Sequence, residues 1–332
     1  MNSDTPVIDP ADPAAALAAM ARRCSNWGRW GPDDVHGTLN FLDDEARRRA
    51  AGLVTTGRVF SLAQPFDADG PQKGWRRRTN PVHTMTDTGL DAEHGDQGFP
   101  FGFGGADDVI AMPLQCSTQW DGLGHIFDHG NAWNGRRAGD VVTSEGDRVT
   151  GIQTAADRLA GRAVLLDAGR ALAADLGLEY PELPDGFALT PELLDRVIER
   201  QGPSAEVGRG DIVLVRTGQY SRTRRAGWGD YAGGAAPGLS FHSAPWLHDR
   251  EIAAIATDTW GFEVRPNELP GTFQPLHQIV IPHMGLYLGE MWNLDGLAEH
   301  CAVTGRYEAL LVAAPLPVTG AVGSPVNPLA LV

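Results

Sequence analysis

Apolar residues fall along this chain in short blocks, not in one repeating period. The alanine-rich stretch from Pro13 to Arg23 predicts a short helix, and Asp43 followed by Glu45 to Ala50 predicts a second with aspartate as its cap. Val59 to Leu62 reads as a first strand. Val109–Leu114, Ala163–Asp167, Gly210–Gly218, Ile255–Asp258 and Tyr307–Ala314 are continuous apolar runs of strand length, the pattern of strands buried on both faces. Leu286 to Leu288 predicts one more. Helices are expected over Thr154–Leu159, Trp246–Ala253, Leu276–His283 (broken near Pro282) and Leu294–His300. Another is expected from Pro191 to Gln201, where Thr190 is the cap and proline takes the first helical position. Residues 67–108 are dominated by Gly, Asp, Arg and Pro and predict a long irregular connection of the kind that forms lids or binding loops. Strands and helices mix without strict alternation, so the expected class is α/β with a mixed central sheet.

Composition narrows the function. The chain has 332 residues, 27 Lys and Arg against 42 Asp and Glu, and a formal charge of −15. A nucleic-acid reader needs a basic face, and an anionic membrane recruits a polybasic patch, so neither partner is expected. The 41 glycines and 23 prolines describe a loop-rich globular protein. Cys24, Cys116 and Cys301 are far apart and form no metal or disulfide motif, which fits a cytoplasmic location. Met1 to Met20 lacks the pattern of a signal peptide, and no apolar run is long enough for a transmembrane helix. No GxGxxG, Walker loop or Gly-x-Ser-x-Gly elbow sits in the right context, so no nucleotide cofactor is expected.

The densest polar cluster in an apolar setting runs from Gln115 to His125. In extended backbone Gln115, Ser117, Gln119 and Asp121 share one face. A glycine-bearing turn then allows Asp121 and His125 to converge on one small volume. The plainer alternative is a strand-end turn with an aspartate cap and a satisfied histidine.

These residues resemble a known family. Members of the cyclase family, which includes bacterial kynurenine formamidases and isatin hydrolases, carry His-x-Gly-Thr-His-x-Asp-x-x-x-His. Thr118, Asp121 and His125 fall in register with that motif. Gly161–Asp167, Gly210–Gly218, Ile255–Asp258, His277 with Gly285 and Glu290, and Gly323–Pro328 are similar to its later blocks. Asn26 to Asn40 suggests its longer branch. The resemblance implies a swivelling β/β/α fold, with residues 1–58 as an extension packed on a catalytic domain of residues 59–332. It also implies a divalent metal site: Asp121 as ligand or bridge, His277 and Glu290 as distal ligands, and His125 as general acid/base. It further suggests a homodimer or homotetramer. This chain departs from the pattern at the first two histidines, where Gln115 and Gln119 stand. An amide oxygen is a weaker ligand for zinc than imidazole, so the remaining oxygen-rich set leans towards manganese, magnesium or calcium. Without metal, Gln119 would hydrogen-bond a substrate carbonyl while Asp121 orients His125.

Further candidates for substrate contact are His83 in the long loop, Trp120, Gln115, His242 and the strand-end residue Asp258. Trp27, Trp30, Trp120, Trp133, Trp228 and Trp260 are available for an aromatic pocket. Arg76–Arg77–Arg78 reads as a solvated run that could pair with an acidic substrate. Cys116 has no basic neighbour in sequence to activate it. Three functions follow for a small-molecule substrate. One is a hydrolase opening an amide, lactam or similar carbonyl–heteroatom bond of a cyclic or aromatic metabolite. The others are a metal-independent lyase, dehydratase or cyclase using His125 and Asp121, and a non-catalytic binder.

Overall fold

The computed structural model describes residue 6 and residues 8–332; the part of the Met1–Met20 segment before them lies outside the described residues. A mixed sheet of nine strands organises the chain. Its parallel centre is Ala160–Asp167, Ile212–Arg216, Ala254–Thr257 and Tyr287–Glu290, in that spatial order. Glu308–Val312, Leu329–Leu331 and Val59–Ser61 extend one side antiparallel. Gln119–Asp121 and Gly323–Pro325 extend the other. The central strands are buried because helices and loops cover both faces, which explains their unbroken apolar runs.

One core, on one face of the sheet, takes Met20 and Cys24 from the first helix and Leu194, Val197 and Ile198 from the Pro191–Gln201 helix. The other core is centred on Trp120, Trp133, Tyr287 and Trp292. Helices start where the sequence predicts: Asp12, Asp43 and Thr190 each accept a backbone N–H from the first turn.

Residues before the first strand lock onto the element that carries the site. The Thr38 amide and hydroxyl both donate to the Gly285 carbonyl, at 2.9 and 3.0 Å. Gly37 has φ +55°, and a Cβ there would overlap the Gly285 carbonyl oxygen. Gly285 has φ +76° and ends the Val280–Met284 π-turn, leaving no room for a side chain beside Trp133. This close approach fixes the chain reversal between His277 and Glu290.

Several elements differ from expectation. Ala168–Leu176 and Gln219–Ala226 are helices that the apolar pattern did not signal. Asp167 caps the first of these, so the acid at the strand end is a helix cap. The expected helix at Thr154–Leu159 is a short 3-10 turn, Ile152–Ala155. The long connection is not wholly irregular: Val82–Asp87 pairs antiparallel with Asp107–Ala111 in an arm, with a short helix, Gly89–His94, between them. Val109 and Ile110 are therefore exposed, where their apolar run predicts a buried strand.

Gly37→Ala should destabilise the fold by about 2 kcal/mol or more, because it adds an overlap with backbone to an unfavourable φ. Gly28→Ala, at φ +75° with open space around it, carries the conformational cost alone. Urea unfolding of both variants separates the two effects; equal losses would mean that the Gly37–Gly285 approach contributes nothing.

Candidate active site

The site forms where the edge strand Gln119–Asp121 runs antiparallel to Tyr287–Glu290. In this register Gln119 stands opposite Glu290, and Asp121 opposite Leu288. Thr118 holds the strand in place: its hydroxyl donates to the Met291 carbonyl and accepts from the Gln64 amide. Gly122 and Gly124 then turn the chain sharply, and a side chain at Gly124 would strike the Asp147 carboxylate. The turn brings His125 back, with its Nε2 3.7 Å from Asp121 Oδ1.

His277 enters from the Pro275–Ile279 helix. Both of its ring nitrogens meet carboxylates: Nδ1 lies 2.7 Å from Glu263 and Nε2 lies 3.0 Å from Glu290. Glu263 also accepts the backbone amides of Leu276 and His277, so its position is set by the start of that helix. The Gln119 side-chain amide donates to Glu290 at 2.9 Å and faces Asp121 Oδ1 at 3.4 Å. Gln119 Oε1 is buried and has no hydrogen-bond partner among the described residues. One donor atom each from Asp121, His277 and Glu290 lies within 4.8 Å of the others.

Burial raises Asp121 above the usual carboxylate range, against the pull of His125, and Glu290 raises it further. Burial pushes His125 down; Asp121 opposes this, while Arg78, His277 and Arg76 add to it. At neutral pH the ring is a neutral imidazole with a free lone pair, the form that accepts a proton. Burial alone would lower His277, but the hydrogen bonds its ring donates to Glu263 and Glu290, together with their charges, override it and lift the ring to about 10. In the absence of a metal, this imidazolium is the cation that offsets the two glutamates.

Asp121, His125, His277 and Glu290 line one cavity together with Trp75, Arg76, Arg78, Ile126, Trp260 and Gln274. Its free volume is about 10 Å³, the room of a single water. Gln119 lies directly behind the carboxylates. The Gln115 amide sits beside Gly323, next to Asp121.

The other expected contacts lie elsewhere. His83 is on the exposed arm, paired with Asp108. Trp120 is in the core, its indole donating to the Ala313 carbonyl, because alternation along the strand points it away from Gln119 and Asp121. Asp258 is consumed by Thr217 and Gly218, whose backbone amides and hydroxyl it accepts. His242 belongs to the Phe241–Ser243 turn and does not line the cavity. Of the tryptophans considered, only Trp260 lines it. Sequence reasoning missed Trp75, Gln274 and Glu263, and read the arginine run as a solvated one that could pair with an acidic substrate. The signal for Glu263 was faint: an acid five residues after Asp258, beyond a strand end. Cys116 is pushed up to about 11 by burial and is no nucleophile.

The cyclase family, described as "Putative cyclase", matches residues 60–264. This chain belongs to that family. The crystal structure of a novel cyclase is 35% identical, with TM-score 0.83, over 94% of this chain and 99% of its own. Isatin hydrolase A from Labrenzia aggregata, bound to benzyl benzoate, is 22% identical with TM-score 0.58, over 85% of this chain and 95% of its own. An isatin hydrolase bound to the product analogue thioisatinate is 20% identical with TM-score 0.58, over 85% of this chain and 94% of its own. At these identities the isatin hydrolases are similar in fold. A search of the curated proteins finds no match.

The raised His277 has a sign that can be checked. Its folded value lies above its unfolded value, so its stabilisation is complete below about pH 6.5 and is lost as pH climbs through about 10. In chelator-treated protein the urea midpoint should fall from pH 7 to pH 10, and His277→Gln should flatten that slope. A wild-type midpoint that stays constant over the range would show that the imidazolium does not hold the two glutamates.

Proposed function

We propose that this chain is a cyclase-family hydrolase that opens an amide, lactam or similar carbonyl–nitrogen bond of a small aromatic or cyclic metabolite. The observation that carries this reading is His125, its Nε2 3.7 Å from Asp121 Oδ1, in the cavity that the Asp121–His277–Glu290 cluster also lines. His125 takes a proton from water as its oxygen bonds to the substrate carbonyl carbon. The same ring returns that proton to the nitrogen as the carbonyl–nitrogen bond breaks. Asp121 orients the ring and favours its charged form during the transfer. The water's second proton stays on the carboxyl group, so the products are an amine and a carboxylic acid that ionises in solution.

The cluster fits a divalent ion. Asp121, His277 and Glu290 would hold it, and the orphaned Gln119 Oε1 is a fourth donor within the same buried shell after rotation of its amide. The set is oxygen-rich, which suits manganese or magnesium better than zinc. When bound, such an ion polarises a carbonyl and lowers the pKa of water. Loading requires the proton on His277 Nε2 to leave, so affinity rises with pH. The isatin hydrolases support a hydrolase reading through their fold.

One observation favours a second reading. The Gln119 amide and the His277 imidazolium already satisfy Glu290 through hydrogen bonds. A metal-independent lyase or dehydratase would use His125 and Asp121 alone. Activity in chelator distinguishes the two readings.

His125→Ala should lower kcat by roughly 100- to 10,000-fold while leaving the unfolding midpoint unchanged. Turnover of an aryl formamide or isatin, followed by absorbance, provides the measurement. Near-normal turnover would remove His125 from the chemistry.

A further inference from the structure

The segment between Gln72 and Asn80 forms a strap over the site. Its base is pinned: the Gln72 backbone amide donates to Asn80 Oδ1 at 2.7 Å, and Asn80 Nδ2 donates to the Ala68 and Gly70 carbonyls. The Gln72 side chain donates to the Cys116 carbonyl. Lys73 to Thr79 therefore projects as a short loop from a fixed stem, closed across its neck by the Gly74 amide on the Arg78 carbonyl at 3.0 Å.

Within it Gly74, Arg76 and Arg77 all have positive φ, at 89°, 49° and 64°. Two consecutive arginines in the left-handed region are costly, and such geometry gathers at ligand clamps. The result is specific. Arg76 and Arg78 line the cavity with Asp121 and His125, while Arg77 does not. Neither Arg76 nor Arg78 forms an ion pair or side-chain hydrogen bond with any described residue. Their guanidinium groups lie over tryptophan rings instead: Arg76 is 5.5 Å from Trp75, and Arg78 is 5.9 Å from Trp75 and 5.7 Å from Trp260. The two indoles meet edge to face at 5.3 Å.

Two guanidinium groups without carboxylate partners, held against aromatic walls beside the reacting groups, match an aromatic anion. Resting on the hydrolase reading above, we propose that the strap is a specificity clamp: the substrate carries a carboxylate bound by Arg76 and Arg78, and its ring packs against Trp75 and Trp260. The cavity has room for only one water, so the strap lifts from its stem to admit that substrate and closes on it.

The test uses a matched pair, 4-formamidobenzoate and its methyl ester, which differ in charge and share the aryl formamide. Calorimetry should give about tenfold tighter binding of the acid. The Arg76→Gln/Arg78→Gln double variant should erase that preference, and Arg77→Gln should keep it. Equal binding of the two probes by the wild-type protein would overturn the clamp. So would no binding of either, or an equal loss for both in the double variant, which would mean that the arginines only balance the charge of the site. Formate release is followed separately. Charge-selective binding without hydrolysis keeps the clamp and defeats the hydrolase reading; hydrolysis without charge selectivity does the reverse.

Discussion

Three carboxylates, Asp121, Glu263 and Glu290, are buried within one hydrogen-bonded cluster, and the rest of the site follows from the need to compensate them. A bare carboxylate in an apolar interior is far too costly to persist, so each must meet a cation or donor. His277 serves two of them through its two ring nitrogens, and the Gln119 amide spans the other gap. Removing either donor would expose an uncompensated charge. The geometry is correspondingly over-determined: strand register fixes Gln119 against Glu290, helix amides fix Glu263, and the packed Gly37–Gly285 contact fixes the turn between His277 and Glu290. The residues before the first strand thus brace the frame that carries the cluster.

The same arrangement gives the glutamine at position 119 a definite task among the carboxylates. A second imidazole beside Glu290 would be a strong ligand but a poor neutral substitute. An amide is both donor and acceptor: rotated one way it satisfies carboxylates, and rotated the other it offers an oxygen to a cation. In this rotamer the amide nitrogen is used and the oxygen has no partner among the described residues.

Much of this was legible from sequence, and the exceptions share a cause. Apolar runs located the central strands, alanine content located the first helix, and the Asp43 and Thr190 caps located two more helix starts, because these signals are local. The Asp121–His125 convergence was legible because two glycines lie between them. Trp120 was misjudged although the period of two that aligned Gln119 with Asp121 also turned Trp120 into the core. Glu263, Trp75 and Gln274 could not be found, since their meeting depends on segments far apart in sequence. Val109 and Ile110 read as buried because an apolar run does not reveal whether a partner covers it. Asp258 looked functional at a strand end, but a carboxylate accepting several donors from the adjacent turn is fully used as a structural cap.

The arginine run is the most instructive of these cases. With a net charge of −15, the long-range field of this protein repels anions, and a charged triplet in a glycine-rich loop is ordinarily solvated surface. Position reverses that expectation. Local fields in a narrow cavity are set by the nearest charges and low-dielectric walls, because solvent and salt screen the distant ones. Two guanidinium groups against indole faces, lining the same cavity as His125, lower the proton affinity of that histidine and offer a cationic seat within a negatively charged protein.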